Sequence, residues 1–517
     1  MTTSARARLA ILAASALASA LLPAFAAAAE AGCKYVQVAR LPLRYAGPDL
    51  NITTQGTING TPATMLVDTG AFATILTTQA TEPRKLALRN TGSEAAGIGG
   101  HARIYSTQVD EFSIGPARSG RMTLPVVKEF GGAPGYDALV GAPFLLQTDL
   151  EISLATKELK FFRPMGCGDA FLGYWDENAV VLPFNQHMRD PANPHFTVVV
   201  NGVKMDAIID TGAGASYVSL GAAKRAGLKL DASKLTRTLD VTGAGPRKVA
   251  SWHTTFERFE IGNQVVRNAQ VGVVDDDGAF EVLLGADFLR SHRVLFAMSQ
   301  QKIYLSYIGG QPFGQGTRLE PWLQAEAEAG NADAQMVLST YYIQGKVVPQ
   351  DMTLAAHWGE KAANGGNADA KLISGRSMML IGMHAQAVTR LRAGLDKPHG
   401  YPQAPLWLYI ARVHTGQAEL AKTELAAARQ RNRENEWPAP IADFYLGKLG
   451  AAKLIEEARD DRTLATARTC ESISAMEEWH SAHGDRAALP ALAAQGARAG
   501  CPLTPAALTN AAPQPEP

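Results

Sequence analysis

The sequence lacks an excess of charge of either sign and has few cysteines. Its 517 residues contain 49 lysines and arginines against 49 aspartates and glutamates, so the total charge gives no reason to expect a nucleic-acid or anionic-membrane partner. None of the four cysteines stands in a CxxC pair, which disfavours a zinc or redox site. Beyond the N-terminal region no apolar run is long enough to span a bilayer. The length predicts about three domains.

The N-terminal region has the pattern of an export signal. Arg6 and Arg8 precede a largely apolar stretch at 9–25, and small residues at 26–29 offer a cleavage site. We therefore expect residues 1–29 to be a signal peptide and the mature chain to be periplasmic, with secretion or a signal anchor as alternatives. An anchor is disfavoured because the apolar stretch is short and rich in alanine.

One segment of the sequence occurs twice. The string INGTPATMLVDTGAFATIL, which contains Asp68, is matched by VNGVKMDAIIDTGAGASYV, which contains Asp210. The Asn-Gly pairs and the Asp-Thr-Gly triplets keep the same spacing in both copies, and ALVGAPFL around Gly141 is matched by VLLGADFL around Gly285. Self-similarity that persists over such a distance predicts two copies of one lobe.

Each copy has the sequence pattern of strands. Apolar and β-branched runs such as FTVVV flank Asn-Gly turns, and neither copy contains a long helical period. Short apolar stretches after Gly141 and Gly285 predict one brief helix in each copy. We therefore expect an all-β lobe at 34–165 (lobe one), an all-β lobe at 178–308 (lobe two) and a linker between them in the string RPMGCGDA.

Two Asp-Thr-Gly triplets at matching positions indicate chemistry. Hydrolysis of a peptide bond without a metal or a nucleophilic side chain needs one group that takes a proton from water and another that gives a proton to the carbonyl. Two carboxylates that share one proton do both, because like charges at close range cannot both ionise cheaply. Asp68 and Asp210 are the predicted catalytic pair, and since such a titration belongs to the pair, neither is assigned the proton.

The residues that follow each aspartate are the predicted supports of the pair. Thr69 and Thr211 are expected to hydrogen-bond across a two-fold interface. Gly70 and Gly212 allow close backbone approach and offer N–H groups to the carboxylates. The apolar runs before the triplets predict that both loops end buried strands, and burial supplies the desolvation that separates the two pKa values.

On these residues the sequence resembles the retropepsin-like aspartic peptidases. In that family the triplet is commonly followed by alanine, as at Ala71 and Ala213, and an apolar-apolar-glycine element packs beneath it, as LVG and LLG would here. The resemblance covers both lobes and implies two small closed β-barrels, a site at their interface, a peptide or protein substrate and no cofactor. Retroviral members are homodimers, whereas two lobes in one chain form an internal pseudo-dimer for which homodimerisation is not required.

Flaps should cover such a site, and two glycine-rich strings, GIGGHARIYS and VTGAGPRKVAS, follow the triplets at a suitable distance. Gly99 and Gly100 in lobe one and Gly243 and Gly245 in lobe two are the candidate flap glycines, since such strings favour hairpin tips. Mobile tips admit a peptide and then exclude water. Two ordinary surface hairpins are the alternative.

The sequence departs from the family pattern two residues after the glycine of each triplet. Relatives often have serine, threonine or aspartate there, but this chain has Phe72 and Gly214. Neither supplies a polar side chain to the carboxylates. A catalytically inactive peptide-binding module on the same fold is therefore the rival interpretation.

After Tyr307 the strand pattern gives way to helical periodicity. GGQPFGQG is the predicted linker, and the string AGNADAQ is repeated as GGNADAK, a restart that resembles Sel-one-like tetratricopeptide repeats. The sequence thus predicts a multidomain protein with an all-α helical-repeat domain at 319–505 and a disordered tail at 506–517. Stacked helices of this kind present a face to a protein partner, and packing against the lobes alone is the alternative.

Export makes the four cysteines disulfide candidates, and three pairings are possible. Cys33 and Cys167 bracket lobe one, while Cys470 and Cys501 bracket the last helical pair, so pairing within each part is the natural expectation. A lipid-modified Cys33 is disfavoured by its upstream sequence. No metal site is expected, because the closely spaced His480 and His483 lack a third ligand.

Overall fold

The computed structural model of the protein has three parts: lobe one, lobe two and a helical region. The predicted signal peptide (1–29) and disordered tail (506–517) lie outside the described residues. The structure describes residues 32–128, 135–187, 190–229, 236–237, 241–245, 247–275, 280–313, 318–367, 369–396, 401–431, 437–460 and 464–501.

Lobe one is built from strands with two one-turn helices. The Asn-Gly turn predicted at its start is present: Asn59 has a φ of 51° and Gly60 a φ of 72°, the left-handed values that a tight hairpin requires. Its elements are β1 (Lys34–Pro42), β2 (Arg44–Ala46), β3 (Asn51–Ile58), β4 (Thr61–Asp68), β5 (Ile75–Leu76), α1 (Thr78–Thr81), β6 (Arg89–Gly97), β7 (Gly100–Val109), β8 (Phe112–Ile114), β9 (Ala117–Ser119), β10 (Met122–Val127), β11 (Ala138–Gly141), α2 (Ala142–Leu145), β12 (Asp149–Ser153) and β13 (Glu158–Met165).

Lobe two repeats this plan, with Asn201 again left-handed at a φ of 48°. Its elements are β14 (Val180–Pro183), β15 (Asn185–His187), β16 (Asp190–Val200), β17 (Val203–Ile209), β18 (Tyr217–Ser219), α3 (Leu220–Arg225), β19 (Thr236–Arg237), β20 (Ser251–Ile261), β21 (Gln264–Val274), β22 (Val282–Leu284), α4 (Ala286–Ser291), β23 (His292–Ala297) and β24 (Lys302–Tyr307).

The sheets of the two lobes differ in closure. In lobe two, β16 pairs with both β17 and β20, so the strand path β16-β17-β22-β18-β21-β20 closes into a barrel. In lobe one the described strands follow an open path from β6 to β9 and form a half-barrel. The closed barrel that the resemblance implied for each lobe is therefore found in lobe two, while lobe one remains open.

A third sheet joins the lobes. Its six antiparallel strands run in the order β1-β13-β12-β23-β24-β14, three from each lobe. The central pair is β12 with β23, in which Leu150 lies opposite Phe296 and Ile152 opposite Val294. All four side chains are buried, so this sheet fixes the two lobes against each other through a continuous apolar core.

The helical region continues the chain from residue 318. The repeated NADA string has the same local role twice, because the side chain of Asn331 accepts from the N–H groups of Asp333 and Ala334 and that of Asn367 accepts from the N–H of Ala370, each at a helix start. The elements are α5 (Pro321–Glu328), α6 (Ala332–Gln344), α7 (Met352–Asn364), α8 (Ala370–Leu380), α9 (His384–Leu395), α10 (Ala404–His414), α11 (Ala418–Arg431), α12 (Ala439–Tyr445), α13 (Ala451–Ala458), α14 (Ala465–Ala482), a 3-10 turn (Arg486–Ala488) and α15 (Leu489–Arg498).

The helical region packs directly on the lobes. Leu323 and Ala327 of α5 and Leu338 of α6 belong to the same buried cluster as the lobe cores. Part of the predicted linker is also core, since Phe313 is 1% exposed and its ring lies 4.9 Å from that of Phe259. The predicted order of two β-barrel-type lobes followed by an all-α region is confirmed. Among the described residues no helix is both long and apolar enough to cross a membrane.

Candidate active site

Both aspartates of the predicted pair lie at the ends of buried parallel strands. β4 ends at Asp68 and pairs with β11, where Gly141 is opposite Asp68. β17 ends one residue before Asp210, whose N–H donates to the carbonyl of Leu284 at 2.9 Å. The residues before each triplet, MLV and AII, are buried. The buried strands formed by these apolar runs thus place both carboxyl groups at the interface between the lobes.

The two threonines connect the lobes reciprocally. The N–H of Thr69 donates to the hydroxyl of Thr211 at 3.0 Å, and the N–H of Thr211 donates to the hydroxyl of Thr69 at 3.1 Å. Each hydroxyl then donates to a carbonyl of the opposite lobe, Thr69 to Ile209 at 2.7 Å and Thr211 to Val67 at 2.6 Å. Both threonines are 1% exposed, so these four bonds hold the two loops at a fixed distance.

The two glycines bring the carboxylates within reach of each other. The N–H of Gly70 donates to Asp68 Oδ1 at 3.0 Å and that of Gly212 to Asp210 Oδ1 at 2.8 Å. A Cβ on Gly70 would stand 2.4 Å from the carboxyl carbon of Asp210, and one on Gly212 would stand 2.5 Å from that of Asp68. Any side chain at either glycine would therefore displace the opposite carboxylate.

The environment of the pair disfavours two negative charges. Burial raises the pKa of Asp68 well above its usual range, and the neighbouring charge and hydrogen bond of Asp210 raise it further. Burial also raises the pKa of Asp210, while the hydrogen bond from Asp68 and the N–H groups of Gly212, Ala213 and Gly70 oppose that rise. The pair therefore favours the state with one shared proton, in which one group accepts a proton while the other donates.

Sequence reasoning missed a third group that holds the loop of Asp68. The side chain of Asn193, on β16 of lobe two, donates to the carbonyl of Gly70 at 3.1 Å and is 2% exposed. It fixes the loop of one lobe from the other lobe. No local pattern marks Asn193, because its proximity to Gly70 arises only when the lobes assemble.

Sequence reasoning also missed a hydroxyl residue that follows each triplet. Six residues after Asp68, Thr74 accepts from the N–H of Gly141 at 3.3 Å, and six after Asp210, Ser216 accepts from the N–H of Gly285 at 3.0 Å. The duplication itself carries this signal, since both positions hold a hydroxyl residue in the aligned strings. These bonds link the loop of each triplet to the strand and helix behind it.

The two departures from the family pattern are both exposed. Phe72 is 48% exposed although it is a large apolar side chain. At Gly214 a Cβ would meet nothing within 4 Å. The position two residues after the triplet glycine is thus occupied by an aromatic ring in lobe one and open in lobe two.

The candidate flap glycines of the two lobes touch each other. The N–H of Gly99 donates to the carbonyl of Ala244, and the N–H of Arg247 donates to the carbonyl of Gly99, both at 2.9 Å. A Cβ on Gly99 would stand 2.6 Å from the carbonyl oxygen of Gly245, and one on Gly243 would stand 2.6 Å from Ile98. Gly100, with a φ of 96°, lies beneath the guanidinium of Arg247. The predicted tips therefore form one interlobe contact.

The cysteines are paired within each part of the chain. Cys33 and Cys167 are bonded with their Cα atoms 4.2 Å apart, and Cys470 and Cys501 are bonded with theirs 5.4 Å apart. The first bond joins the two ends of lobe one, and the second joins α14 to Cys501, three residues after the end of α15. Neither bond contacts the aspartate pair.

The described residues contain no group of three or more histidine, cysteine, aspartate or glutamate side chains that could hold a metal ion. His480 Nδ1 lies 2.9 Å from a carboxylate oxygen of Asp485, and His483 Nδ1 donates to the carbonyl of Trp479 at 2.8 Å. The imidazoles of His480 and His483 therefore have hydrogen-bond partners within the helical region.

Comparison with known proteins bears on both lobes. Residues 54–144 match a family model described as aspartyl protease, and residues 196–291 match one described as gag-polyprotein putative aspartyl protease. No curated protein matches the chain. Solved structures with similarity include an aspartic proteinase from Irpex lacteus (14% identity, 53% of this chain, 98% of that chain, TM-score 0.34) and basic 7S globulin from soybean (10% identity, 53% of this chain, 96% of that chain, TM-score 0.32). Each lobe of this chain thus matches an aspartyl protease family model over the segment that carries its triplet.

Proposed function

We propose that this chain is an exported aspartic endopeptidase in which Asp68 and Asp210 activate one water between them. The observation that carries the proposal is the reciprocal interlobe cage, in which each triplet glycine lies against the opposite carboxylate and each threonine bonds the opposite loop. A module that only binds peptides has no need for two carboxylates held face to face in a setting that raises their pKa values.

In the proposed reaction, the ionised carboxylate takes a proton from water as the water oxygen attacks the peptide carbonyl carbon. The protonated carboxyl group donates its proton to the carbonyl oxygen, which gives a tetrahedral gem-diol. The C–N bond breaks when the amine takes a proton from one carboxyl group and a hydroxyl of the gem-diol returns a proton to the pair. No cofactor enters this sequence, and the pair ends with one shared proton.

The other residues have supporting roles in this proposal. Thr69 and Thr211 keep the loops in register, and Gly70 and Gly212 supply N–H donors and close approach. The tips at Gly99 and Gly245 close over the bound peptide and exclude water. The lobes at 34–165 and 178–308 form the internal pseudo-dimer, and tetratricopeptide-like repeats at 319–505 recruit a partner or substrate.

Export to the periplasm is part of the same proposal. Two disulfides are typical of proteins that leave the reducing cytoplasm, and the basic and apolar N-terminal string agrees with an export signal. The proposed mature chain begins just after residue 29.

The test is cleavage of a diverse peptide library from acid to neutral pH, read by mass spectrometry. The protein is the oxidised chain without residues 1–29, compared with Asp68→Asn, Asp210→Asn and the control Asp110→Asn, whose side chain is 71% exposed and bonds Arg121. We expect the wild type and the control to cleave and both pair variants to be silent while folded.

The rival function, an inactive peptide-binding module, is favoured by one observation: Phe72 and Gly214 offer the carboxylates no polar side chain. It predicts that the wild type and both pair variants bind the same peptides and cleave none.

A further inference from the structure

The helix behind Asp210 is bonded directly to the catalytic loop. The N–H of Ala286, the first residue of α4, donates to the carbonyl of Ala213 at 2.8 Å. A Cβ on Gly285 would stand 2.3 Å from the carbonyl oxygen of Ala215, so the helix start and the loop are in van der Waals contact. A shift of α4 therefore moves the loop that carries Asp210.

One turn further along α4, Arg290 reaches out of lobe two to the other two parts of the chain. Its guanidinium carbon lies 3.8 Å from the ring centre of Trp322 on α5 and 5.5 Å from that of Tyr45 on β2 of lobe one. The rings of Tyr45 and Trp322 are themselves 4.9 Å apart. Burial raises the pKa of Tyr45, and the charge and hydrogen bond of Arg290 oppose that rise. All three parts of the chain thus meet at one cation, in a geometry that favours cation–π attraction.

The start of the helical region, which carries Trp322, is bonded to lobe one near Tyr45. The side chain of Asn331 donates to the carbonyl of Tyr45 at 3.0 Å, and the N–H of Gly47 donates to Asp333 at 2.8 Å. Lys157 forms an ion pair with Glu326 at 2.5 Å. The start of the helical region is therefore fixed to lobe one and contacts the Asp210 side of lobe two through Arg290.

Lobe one has no such connection at the matching position. Arg290 stands five residues after Gly285, and five residues after Gly141 the chain has Leu146, which is 7% exposed and belongs to the lobe core. Of the two described helices that follow Gly141 and Gly285, α4 reaches the helical region in this way and α2 does not.

We propose that Arg290 is a positioning residue that couples the helical region to the catalytic loop of lobe two. Its contact with Trp322 holds α4, and α4 holds the loop at the place where Asp210 faces Asp68. The helical region then helps to position Asp210, in addition to binding partners. This inference rests on the proposed peptidase function for its kinetic readout and on geometry for the second readout below.

The test compares Arg290→Met and Trp322→Leu with the conservative variant Trp322→Phe and the control Leu338→Ala. Leu338 lies on α6 and is 1% exposed in the same interdomain core, so it reports the effect of core packing alone. We expect the first two variants to lower kcat about tenfold, the size of effect that remote packing residues exert, with little change in KM and a shifted pH profile. Trp322→Phe should regain most of kcat, and the double variant should be no slower than either single variant.

A merely structural role gives a different pattern. In that case Arg290→Met, Trp322→Leu and Leu338→Ala all lower the melting temperature and leave kcat and the pH profile unchanged below it, which overturns the proposal.

A second readout does not depend on cleavage. Carboxyl-carbon NMR of aspartate-labelled protein follows the titration of Asp68 and Asp210 directly. We expect Arg290→Met to move the apparent pKa values of the pair and Leu338→Ala to leave them in place. If the wild type cleaves nothing, a moved titration still supports the coupling while the peptidase assignment fails. An unmoved titration rejects the coupling whether or not the protein cleaves.

Discussion

Lobe one and lobe two both have a hydroxyl residue six positions after the aspartate of the triplet, but the hydrogen-bond partners of the two hydroxyl groups differ. Thr74 accepts one bond from Gly141. Ser216 accepts the corresponding bond from Gly285 and also donates to Asp287 at 2.6 Å. Asp287 is buried, which raises its pKa, and lobe one has a proline at the matching position.

The contacts that the triplets make across the interface are the same in both lobes. The threonines and glycines of the triplets contact the opposite lobe, and because each contact is reciprocal, a change on one side disturbs both. The features that differ, such as Phe72 against Gly214 and Arg290 against Leu146, do not enter this reciprocal cage. Two-fold contact thus keeps Asp68 and Asp210 face to face, while the surroundings of each lobe are free to diverge.

The largest effect is expected at the reciprocal threonines. Thr69→Val and Thr211→Val each leave one buried N–H and one carbonyl of the opposite lobe unpaired, and at about 1–3 kcal/mol for each group we expect a loss of about 4 kcal/mol in the free energy of unfolding. Denaturant titration measures it. Because the contacts are symmetric, the two losses should be equal.

Thr69→Ser and Thr211→Ser are the controls, since they retain the hydroxyl and should recover most of the stability. A large loss at one threonine and none at the other would show that the two threonine contacts are not energetically equivalent.

Acid is expected to weaken lobe two through His292. This residue is fully buried against Phe288 and Gln264, and burial lowers its pKa from 6.5 to about 4. The folded state therefore disfavours the proton that the unfolded chain binds. The stabilisation is complete above pH 6.5 and is lost as the pH falls towards 4, by about 3 kcal/mol at 1.36 kcal/mol per pKa unit.

The measurement is the free energy of unfolding across this pH range in the wild type, in His292→Gln and in the control His101→Gln, whose side chain is 70% exposed. His292→Gln should flatten the dependence, and His101→Gln should leave it intact. An equally steep dependence in His292→Gln would locate the acid sensitivity elsewhere.

A smaller effect is expected at the interlobe contact between the two predicted flap tips. In Gly99→Ala the new methyl group would stand 2.6 Å from the carbonyl oxygen of Gly245, so the tips must separate. We expect kcat/KM to fall about tenfold, since small misplacements near a reacting group are costly. Gly120→Ala is the control because a Cβ there meets nothing within 4 Å. Equal activity of the two variants would indicate two ordinary hairpins.

The smallest effect on stability is expected at Phe72 and Gly214. Both positions are exposed, so Phe72→Gly and Gly214→Phe should change the free energy of unfolding by no more than about 0.5 kcal/mol. Each lies two residues from a triplet glycine, so the exchange should instead change which peptides are cleaved. Cleavage-site profiles of the wild type and of the doubly exchanged variant measure this, and identical profiles would show that the asymmetry does not reach the substrate.

The sequence predicted those features that depend on neighbouring residues and those that depend on the duplicated segment. The Asn-Gly turns, the strands that enter each triplet and the order of β lobes and helices follow from period and composition. The duplication predicted that Asp68 and Asp210 face each other, since two copies of a lobe place equivalent loops at their shared axis.

The remainder depends on contacts between distant segments. Asn193 bonds Gly70 across the lobe interface, and Phe313 fills the core of lobe two from within a string that otherwise has the composition of a linker. The open path of lobe one against the closed barrel of lobe two depends on strand pairing, which local periodicity does not specify. Burial and partner choice at such residues are properties of the assembled fold.

The most direct test of a shared proton at Asp68 and Asp210 is the activity of Asp68→Asn, Asp210→Asn and the double variant, measured side by side on one cleaved peptide. Residues that act as one unit are strongly non-additive. We expect each single variant to lose at least about 10³-fold in kcat and the double variant to be no slower than either. A single variant that keeps most of the activity, or two losses that multiply in the double variant, would contradict a shared pair.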